Sequence, residues 1–264
     1  AVTKPSAPSA PSIVNADMEL TTGWTNGARS SSFKHGGTYS WQGSATDDTY
    51  QDLTWDAKYK GVSFTFTCWG YGDSTETGMK LKINDGVSTT IGSAAGVNGI
   101  WTQITVTMRL SPNATQLRLL LLKGTNCYYD DAAITMETLS VGAPKVFAEF
   151  NDNLWLSLGQ VLTKLNGTGT AYDWVAWMPA TITCLEVFTV SNTDYLFIAL
   201  GTSNAYFYMT TAEAFTKSTA VVTTFQFFKT VHTTADTLYG NDGVNTIRST
   251  TNPLNGGTAW SAQT

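Results

Sequence analysis

The stretch Val62-Ser63-Phe64-Thr65-Phe66-Thr67-Cys68-Trp69 places an apolar side chain at every second position and Ser, Thr or Trp at the positions between. Successive side chains of a β-strand point to opposite faces, so this spacing predicts a strand with one buried face and one polar face. Trp69 falls on the polar face with Thr65 and Thr67, and Tyr71 follows two residues later. We expect these large rings, set among hydroxyl side chains, to face solvent.

Shorter stretches with the same alternation lie on both sides of this strand, from about residue 13 to residue 141. Leu81 and Ile83 alternate with lysines, and Asn84-Asp85-Gly86 then turns the chain into another apolar run. Asn26-Gly27 is a second turn dipeptide of this kind. Short strands separated by turns, without a helix of ordinary length, predict an all-β sandwich for this part of the chain.

A longer period begins after residue 144. Gly159, Gly201 and Gly243 are spaced 42 residues apart, and each lies between two strand-like runs. Four short strands in a period near 40 residues are what one blade of a β-propeller needs. We therefore expect three propeller-like, four-stranded repeats over residues 145–264. The alternative is an irregular sandwich with a coincidental period.

Three blades do not close a ring, because propellers use about 4–8 blades and an unpaired blade edge is exposed. We expect the chain to be a fragment of a longer polypeptide, and completion of the ring by oligomers is the alternative. Residues 1–12 repeat Pro, Ser and Ala, which is the composition of a semi-extended linker. The predicted domains are thus a linker over 1–12, a sandwich over 13–141 and repeats over 145–264.

Composition excludes several classes of partner. The 15 Lys and Arg residues against 20 Asp and Glu residues leave a net charge of -5, so nucleic acid is not expected to bind. No apolar run approaches the roughly 18 residues that span a membrane. Cys68, Cys127 and Cys184 lack paired spacing, so they indicate neither a disulfide framework nor a zinc site.

Six motifs between residues 13 and 139 resemble, in order, those of the jelly-roll carbohydrate-binding modules of families four, nine and twenty-two. They are Asn15-Ala16-Asp17-Met18-Glu19, His35-Gly36-Gly37-Thr38-Tyr39-Ser40, Tyr50-Gln51-Asp52-Leu53, Gly61-Val62-Ser63-Phe64, Trp101-Thr102-Gln103-Ile104 and Tyr128-Tyr129-Asp130-Asp131-Ala132. The resemblance implies two antiparallel sheets that bind sugar on a concave face or a loop edge, without catalysis. It also implies that Trp24 and Trp101 belong to the core.

The resemblance further implies a structural calcium ion. In that family an acid of the first motif and the second acid of the Tyr-Asp-Asp motif hold the ion with backbone carbonyls of the His-Gly-Gly stretch, and the matching positions here are Asp17, Glu19, Gly37 and Asp131. Calcium takes about six to eight oxygen ligands, which carboxylates and carbonyls supply. The alternative is that these acids are solvated residues at strand ends.

Sugar binding requires a flat apolar ring against the C–H face of a pyranose and polar partners for its hydroxyls. We predict that Trp69 and Tyr71 supply the rings, and that Tyr50 and Gln51 face the same groove. The alternative for Trp69 is burial under a neighbouring loop or subunit.

Enzymatic activity is not expected. A glycosidase needs two carboxylates about 5–9.5 Å apart, and nothing in the sequence nominates a pair. His35 and His232 lie outside any nucleophile motif. Residues 249–260 resemble a degenerate Asp-box of sialidase-like propellers, but Arg248 is the only arginine after residue 144, which argues against a sialidase.

The sequence therefore favours a non-catalytic glycan-binding protein with an architectural role. Its low charge and its Thr, Gly and Pro-Ser content resemble surface fibres or decorations of bacteriophage virions, which implies a virion-surface or extracellular location. The implied partners are glycans, other structural subunits and further copies of the chain. Two alternatives stay open: an accessory part of a secreted polysaccharide-degrading enzyme, and a packing module without a ligand.

Overall fold

The computed structural model describes residues 2–73, 79–93, 99–124, 126–201, 205–219, 227–231, 236–241 and 246–263. The described chain is all-β, as predicted: its strands form five antiparallel sheets, beside two short 3-10 segments at Ala57–Tyr59 and Pro253–Ala259. None of the described helical segments is long and apolar enough to cross a membrane.

The chain divides into two compact units, residues 8–138 and residues 1–7 with 139–264. The predicted boundary at residue 141 lies near this division. Part of the predicted linker belongs to the second unit, where Thr3 forms a parallel bridge with Ala171. Ser9 belongs to the first unit, where its carbonyl accepts a hydrogen bond from Tyr59 Oη at 2.8 Å.

Nine strands build the first unit. They are β1 (Ala28–Ser30), β2 (Ser40–Gln42), β3 (Thr49–Asp52), β4 (Ser63–Gly72), β5 (Leu81–Asn84), β6 (Thr89–Ile91), β7 (Thr102–Arg109), β8 (Arg118–Leu121) and β9 (Cys127–Met136). A five-stranded sheet has the order β1-β2-β9-β4-β7, and a four-stranded sheet has the order β3-β8-β5-β6. The predicted pair of antiparallel sheets is confirmed.

The strand at Ser63–Gly72 sits inside the five-stranded sheet, and its alternation is the predicted one. Phe64, Phe66 and Cys68 are fully buried. Burial of each such phenylalanine stabilises the fold by about 1.5–3 kcal/mol. Trp24 packs on Phe66 with ring centroids 6.5 Å apart and is buried, so its predicted core position is confirmed.

A bulge interrupts the pairing of β9 with β4. The register shifts between Thr67 and Trp69, and Asp131 of β9 has a φ of +48° at this point. An extra residue in one strand re-aims the side chains beside it. At this bulge Asp131 is exposed, whereas its neighbour Asp130 is completely buried.

The second unit contains three four-stranded sheets, each formed by consecutive strands. The first has β10 (Pro144–Phe150), β11 (Asn153–Leu158), β12 (Val161–Leu165) and β13 (Tyr172–Trp177). The second has β14 (Cys184–Val190), β15 (Thr193–Ala199), β16 (Phe207–Met209) and β17 (Phe215–Lys217). The third has β18 (Phe227–Val231), β19 (Thr237–Asn241), β20 (Ile247–Thr250) and β21 (Ser261–Ala262). The predicted three four-stranded units are confirmed.

Turn chemistry accounts for the repeat. Gly159 and Gly201 both have positive φ, +71° and +78°, at the turn that follows the second strand of a sheet. Gly243 lies outside the described residues. In the first and second sheets of this unit, the hairpin between the first two strands contains two consecutive residues with positive φ, as type I′ turns require. These residues are Asn151 and Asp152 in the first sheet and Ser191 and Asn192 in the second.

The three sheets pack face to face through two apolar layers. The first and second sheets share a layer that includes Trp155, Leu162 and Leu196. The second and third sheets share another, which includes Phe197 and Phe228. Membership of these sheets in a closed propeller ring stays a prediction.

Candidate functional site

Six rings gather at one end of the outer face of the five-stranded sheet. They come from β4, from the start of β9, from the residue before β7 and from the loop between β1 and β2: Trp69, Tyr71, Tyr128, Trp101, Phe33 and His35. Alternation in β4 accounts for the first two, because Trp69 and Tyr71 share the face opposite Phe66 and Cys68. The rest of this face is mainly hydroxyl side chains: Thr65, Thr67, Thr105, Thr107 and Thr135.

The loop between β1 and β2 lays its rings on those of β4. Phe33 stacks on Tyr71 with centroids 4.5 Å and planes 22° apart, and His35 stacks on Trp69 at 4.0 Å and 15°. The loop segment therefore runs antiparallel to β4 across the outer face. Trp101 lies beside both stacks, 5.4 Å from Tyr71 and 5.7 Å from His35. One face of Trp69 and one face of Tyr71 are consequently covered by the loop.

Buried Asp130 fastens this loop to β9. Its Oδ2 accepts hydrogen bonds from the backbone N–H groups of His35 (2.9 Å) and Gly36 (3.1 Å), and its Oδ1 accepts one from Asp131 N–H. Burial raises the pKa of Asp130, and the backbone hydrogen bonds oppose that rise. Asp131 Oδ2 lies 2.7 Å from His35 Nδ1, so the imidazole is held at its edge as well as on its face.

Glu19 holds the last residues of the loop, just before β2. Its Oε1 accepts hydrogen bonds from the backbone N–H groups of Thr38 (2.7 Å) and Tyr39 (3.1 Å), which lower the pKa of the carboxyl group, with the Tyr39 bond the larger cause. Arg29 donates to the Glu19 carbonyl at 2.7 Å, and its guanidinium lies 3.8 Å from the centre of the Tyr39 ring. The loop is thus held in its middle and at its end by carboxylates that accept backbone hydrogen bonds.

Two buried tryptophans of the first unit, Trp24 and Trp41, have paired indole N–H groups, whereas those of the buried Trp174 and Trp177 in the second unit have no partner among the described residues. A buried indole N–H normally finds a partner, and Trp24 and Trp41 donate to the carbonyls of Asn15 and Asn26 at 3.1 and 2.9 Å. No described residue accepts a hydrogen bond from Trp69 Nε1 or Trp101 Nε1. Neither atom is among the buried unpaired polar atoms.

The core position expected for Trp101 is therefore wrong. Trp101 is half-buried, and it precedes a strand whose odd-numbered residues, Gln103 and Thr105, face outward. It lies on that same outward side, in the ring cluster.

Tyr50 and Gln51 do not share the groove with Trp69 and Tyr71, so this part of the sequence prediction is wrong. Both lie on β3, in the four-stranded sheet, and as adjacent strand residues they face opposite sides. Gln51 is buried: its Oε1 accepts from Val14 N–H at 2.8 Å, and its Nε2 donates to the carbonyls of Val14 and Gly23. Its amide is occupied in anchoring the residues that precede β1.

Tyr50 lies on the outer side of the four-stranded sheet. The Arg118 guanidinium stands 4.2 Å from the centre of its ring and forms a bidentate pair with Asp52, at 2.6 and 2.7 Å. A ligand role for Tyr50 on this separate face stays a prediction.

Of the four residues predicted to hold calcium, Gly37 lies in the loop between β1 and β2, and Glu19 and Asp131 border it. A Cβ on Gly37 would lie 2.0 Å from Glu19 Oε1, and a Cβ on Gly36 would lie 3.3 Å from Asp131 Oδ2. Glu19 Oε1 accepts a hydrogen bond from a backbone N–H group, and Asp131 Oδ2 lies against a ring nitrogen of His35. Asp17 Oδ1 lies 3.5 Å from Glu19 N. No three His, Cys, Asp or Glu side chains of the described chain are grouped to hold a metal ion. As arranged here the donor set does not fit a calcium ion, and the calcium site stays a prediction.

The second unit has two polar clefts at successive sheet junctions. One, of about 460 Å³, is lined by Glu149, Asp152 and Asp194, and the other, of about 380 Å³, by Glu186, Asp194 and Asp236. The three aspartates follow the 42-residue spacing of the glycines. The clefts recur with the repeat, which is what equivalent sheet junctions produce, and we assign them no ligand.

No protein-family model matches the sequence, and no curated protein is similar to it. Solved structures are similar. A tandem of family 22 carbohydrate-binding modules from Paenibacillus barcinonensis Xyn10C is 15% identical with a TM-score of 0.39, covering 77% of this chain and 66% of that one. A xylan-binding domain of family 22 is 17% identical with a TM-score of 0.38, covering 50% of this chain and 100% of that one.

Tailspike protein 4 of bacteriophage CBA120 is also similar. Its enzymatically active domain is 11% identical with a TM-score of 0.35, and the match covers 48% of this chain and 21% of that one. All three TM-scores lie below 0.5, so we infer function from the geometry of the ring cluster.

Proposed function

We propose that this protein binds a glycan, without catalysis, at the ring cluster on the outer face of the five-stranded sheet. The observation that carries the proposal is that half-exposed rings of β4, of the residue before β7 and of the loop between β1 and β2 meet there. Among the described residues, none accepts a hydrogen bond from the indole N–H of Trp69 or Trp101, and both indoles lie beside apolar ring surface. Ring surface for C–H groups and donors for hydroxyls are the two requirements of pyranose recognition.

Fixed geometry supports the same proposal. The carboxylates of Asp130 and Glu19 hold the loop that carries Phe33 and His35 through four backbone hydrogen bonds. A site that is ordered before the ligand arrives loses less conformational entropy on binding. The cluster is therefore suited to retain a saccharide without rearranging.

The finer proposal concerns biological context. We infer a virion-surface or extracellular structural protein in which several copies, or copies with other structural subunits, present the ring cluster together. The composition supports this, and modest sugar affinity at each site then yields usable avidity. The accessory part of a polysaccharide-degrading enzyme and the ligand-free packing module are the alternatives.

A glycan array probed with the purified 264-residue chain tests the proposal. We expect binding that falls about tenfold in Trp101→Ala, because this change removes ring surface and an indole N–H that no described residue accepts, at a half-buried position outside the core. Thr107→Ala, at the hydroxyl-rich end of the same face, is the matched control and should bind like the parent. Absence of binding to every glycan overturns the proposed function, and release of shortened saccharide by the pure chain overturns its non-catalytic character.

A further inference from the structure

The imidazole of His35 has three properties that matter for contact with a ligand. It is stacked on Trp69, it is held by Asp131, and its residue is exposed. No described residue bonds to the remaining ring nitrogen, Nε2. Nε2 is thus a polar atom of an exposed residue inside the ring cluster, without a partner among the described residues.

Asp131 orients that atom. A carboxylate only accepts hydrogen bonds, so the contact at 2.7 Å places a proton on Nδ1. The ring is thereby oriented with Nε2 directed away from Asp131. A hydroxyl group can both donate and accept a hydrogen bond, so it can pair with Nε2 in either role.

We propose that His35 is a ligand-binding residue, whose Nε2 forms a hydrogen bond with one sugar hydroxyl, and that Asp131 is the positioning residue that orients its ring. This inference rests on the proposed glycan binding at the same cluster. Its consequence is specificity: the site distinguishes a sugar with a hydroxyl at that position from the corresponding deoxy sugar.

The backbone supports the assignment independently of the side chain. The N–H groups of His35 and Gly36 both bond to Asp130, so the Cα position of His35 is fixed from β9 while the ring is fixed from β4. Phe33, two residues earlier, is stacked in the same way on Tyr71. The loop therefore presents its rings to a ligand as the upper layer, with the strand rings beneath as their support.

The test uses calorimetry with the strongest ligand of the glycan array and with its series of monodeoxy analogues, in buffer with EDTA and again with calcium. The full chain is compared with His35→Phe, which keeps a ring on Trp69 but removes Nε2. We expect the parent to lose roughly three- to tenfold in affinity for one deoxy analogue, and His35→Phe to bind that analogue and the full sugar equally. Asp131→Asn should show a smaller loss with the same dependence on that hydroxyl.

Three other outcomes are informative. His35→Phe that discriminates every analogue as the parent does overturns the role of Nε2, although glycan binding stands. His35→Ala that binds more tightly than the parent also overturns it, because the loop is then a cover over Trp69. Failure of the parent chain to bind any glycan overturns the proposed function itself. Melting curves of each variant show whether a loss of binding is a loss of folding, and Thr107→Ala is the common control.

Discussion

The imidazole of His35 lies nearly parallel to the indole of Trp69, with the ring centroids 4.0 Å apart, although 34 positions separate the two residues in the chain. The stack joins a loop outside the sheet to a strand inside it. Whether it forms depends on the buried carboxylate of Asp130, which holds the loop backbone. The candidate site is therefore a tertiary feature rather than a property of β4 alone.

The energy of this stack can be measured by a double-mutant cycle. Aromatic pairs of this geometry contribute about 0.5–1.5 kcal/mol beyond the burial of their area. We expect His35→Ala and Trp69→Ala to be non-additive by that amount in urea unfolding of the full chain. Strict additivity of the two changes would show that the rings are neighbours without energetic coupling.

Gln51 is expected to matter for stability and not for binding. Gln51→Met preserves most of the volume but removes three hydrogen bonds to the backbone of Val14 and Gly23, which should cost about 1–3 kcal/mol of unfolding free energy. The measurement is denaturant unfolding beside glycan affinity, with Tyr50→Phe as the control on the opposite side of the same strand. A large loss of glycan affinity with an unchanged free energy of unfolding would show that Gln51 belongs to the binding site.

The alternation of side chains along a strand predicted the sheet face of these residues better than the family motifs did. The alternation of β4 predicted that Trp69 and Tyr71 lie on its outer face, and they do, but the loop between β1 and β2 covers one face of each ring, which for Trp69 is the alternative of burial under a neighbouring loop. The same alternation excludes adjacent Tyr50 and Gln51 from one face, and it puts Trp101 on the outward side with Gln103. The motif resemblance suggested otherwise in both cases.

Other parts of the structure had no local signal. Phe33 and His35 join the site because Asp130, almost a hundred positions later, accepts hydrogen bonds from the loop, and no periodicity records such a contact. The repeats were visible because each turn needs a positive φ, which Gly159 and Gly201 supply at a fixed spacing. How repeats associate depends on surfaces, which the spacing of glycines does not encode.

Gly37 is predicted to be intolerant of a side chain. Its φ is +55°, and a Cβ there would lie 2.0 Å from Glu19 Oε1. Gly37→Ala should therefore destabilise the first unit by more than about 1 kcal/mol and weaken glycan binding, because the loop that carries His35 must shift. Gly167→Ala, at a position with open space, is the control. Equal melting temperatures and affinities for the two variants would show that the loop tolerates this displacement.

Chelation tests the predicted calcium ion. If calcium is held by Asp17, Glu19, Asp131 and the Gly37 carbonyl, EDTA should lower the melting temperature of the full chain and added calcium should restore it, because an ion that binds only the folded state stabilises it. Asp17→Asn should abolish the difference. A melting temperature that EDTA does not change would contradict the predicted calcium ion. That result would agree with the structure, in which Glu19 Oε1 accepts hydrogen bonds from two backbone N–H groups.

Glu19 is expected to make stability depend on acid pH. Hydrogen bonds from the N–H groups of Tyr39 and Thr38 lower its pKa in the folded state. Its contribution is therefore complete above the pKa that it has in the unfolded chain, and it is lost as the pH falls through the lower pKa of the folded state. Glu19→Gln should be less stable than the parent at pH 7, and the gap in melting temperature should narrow as the pH is lowered below 5. A gap that stays constant down to pH 3 would mean that the carboxylate charge contributes nothing to holding the loop at Thr38 and Tyr39, and that the lower stability of Glu19→Gln has another cause.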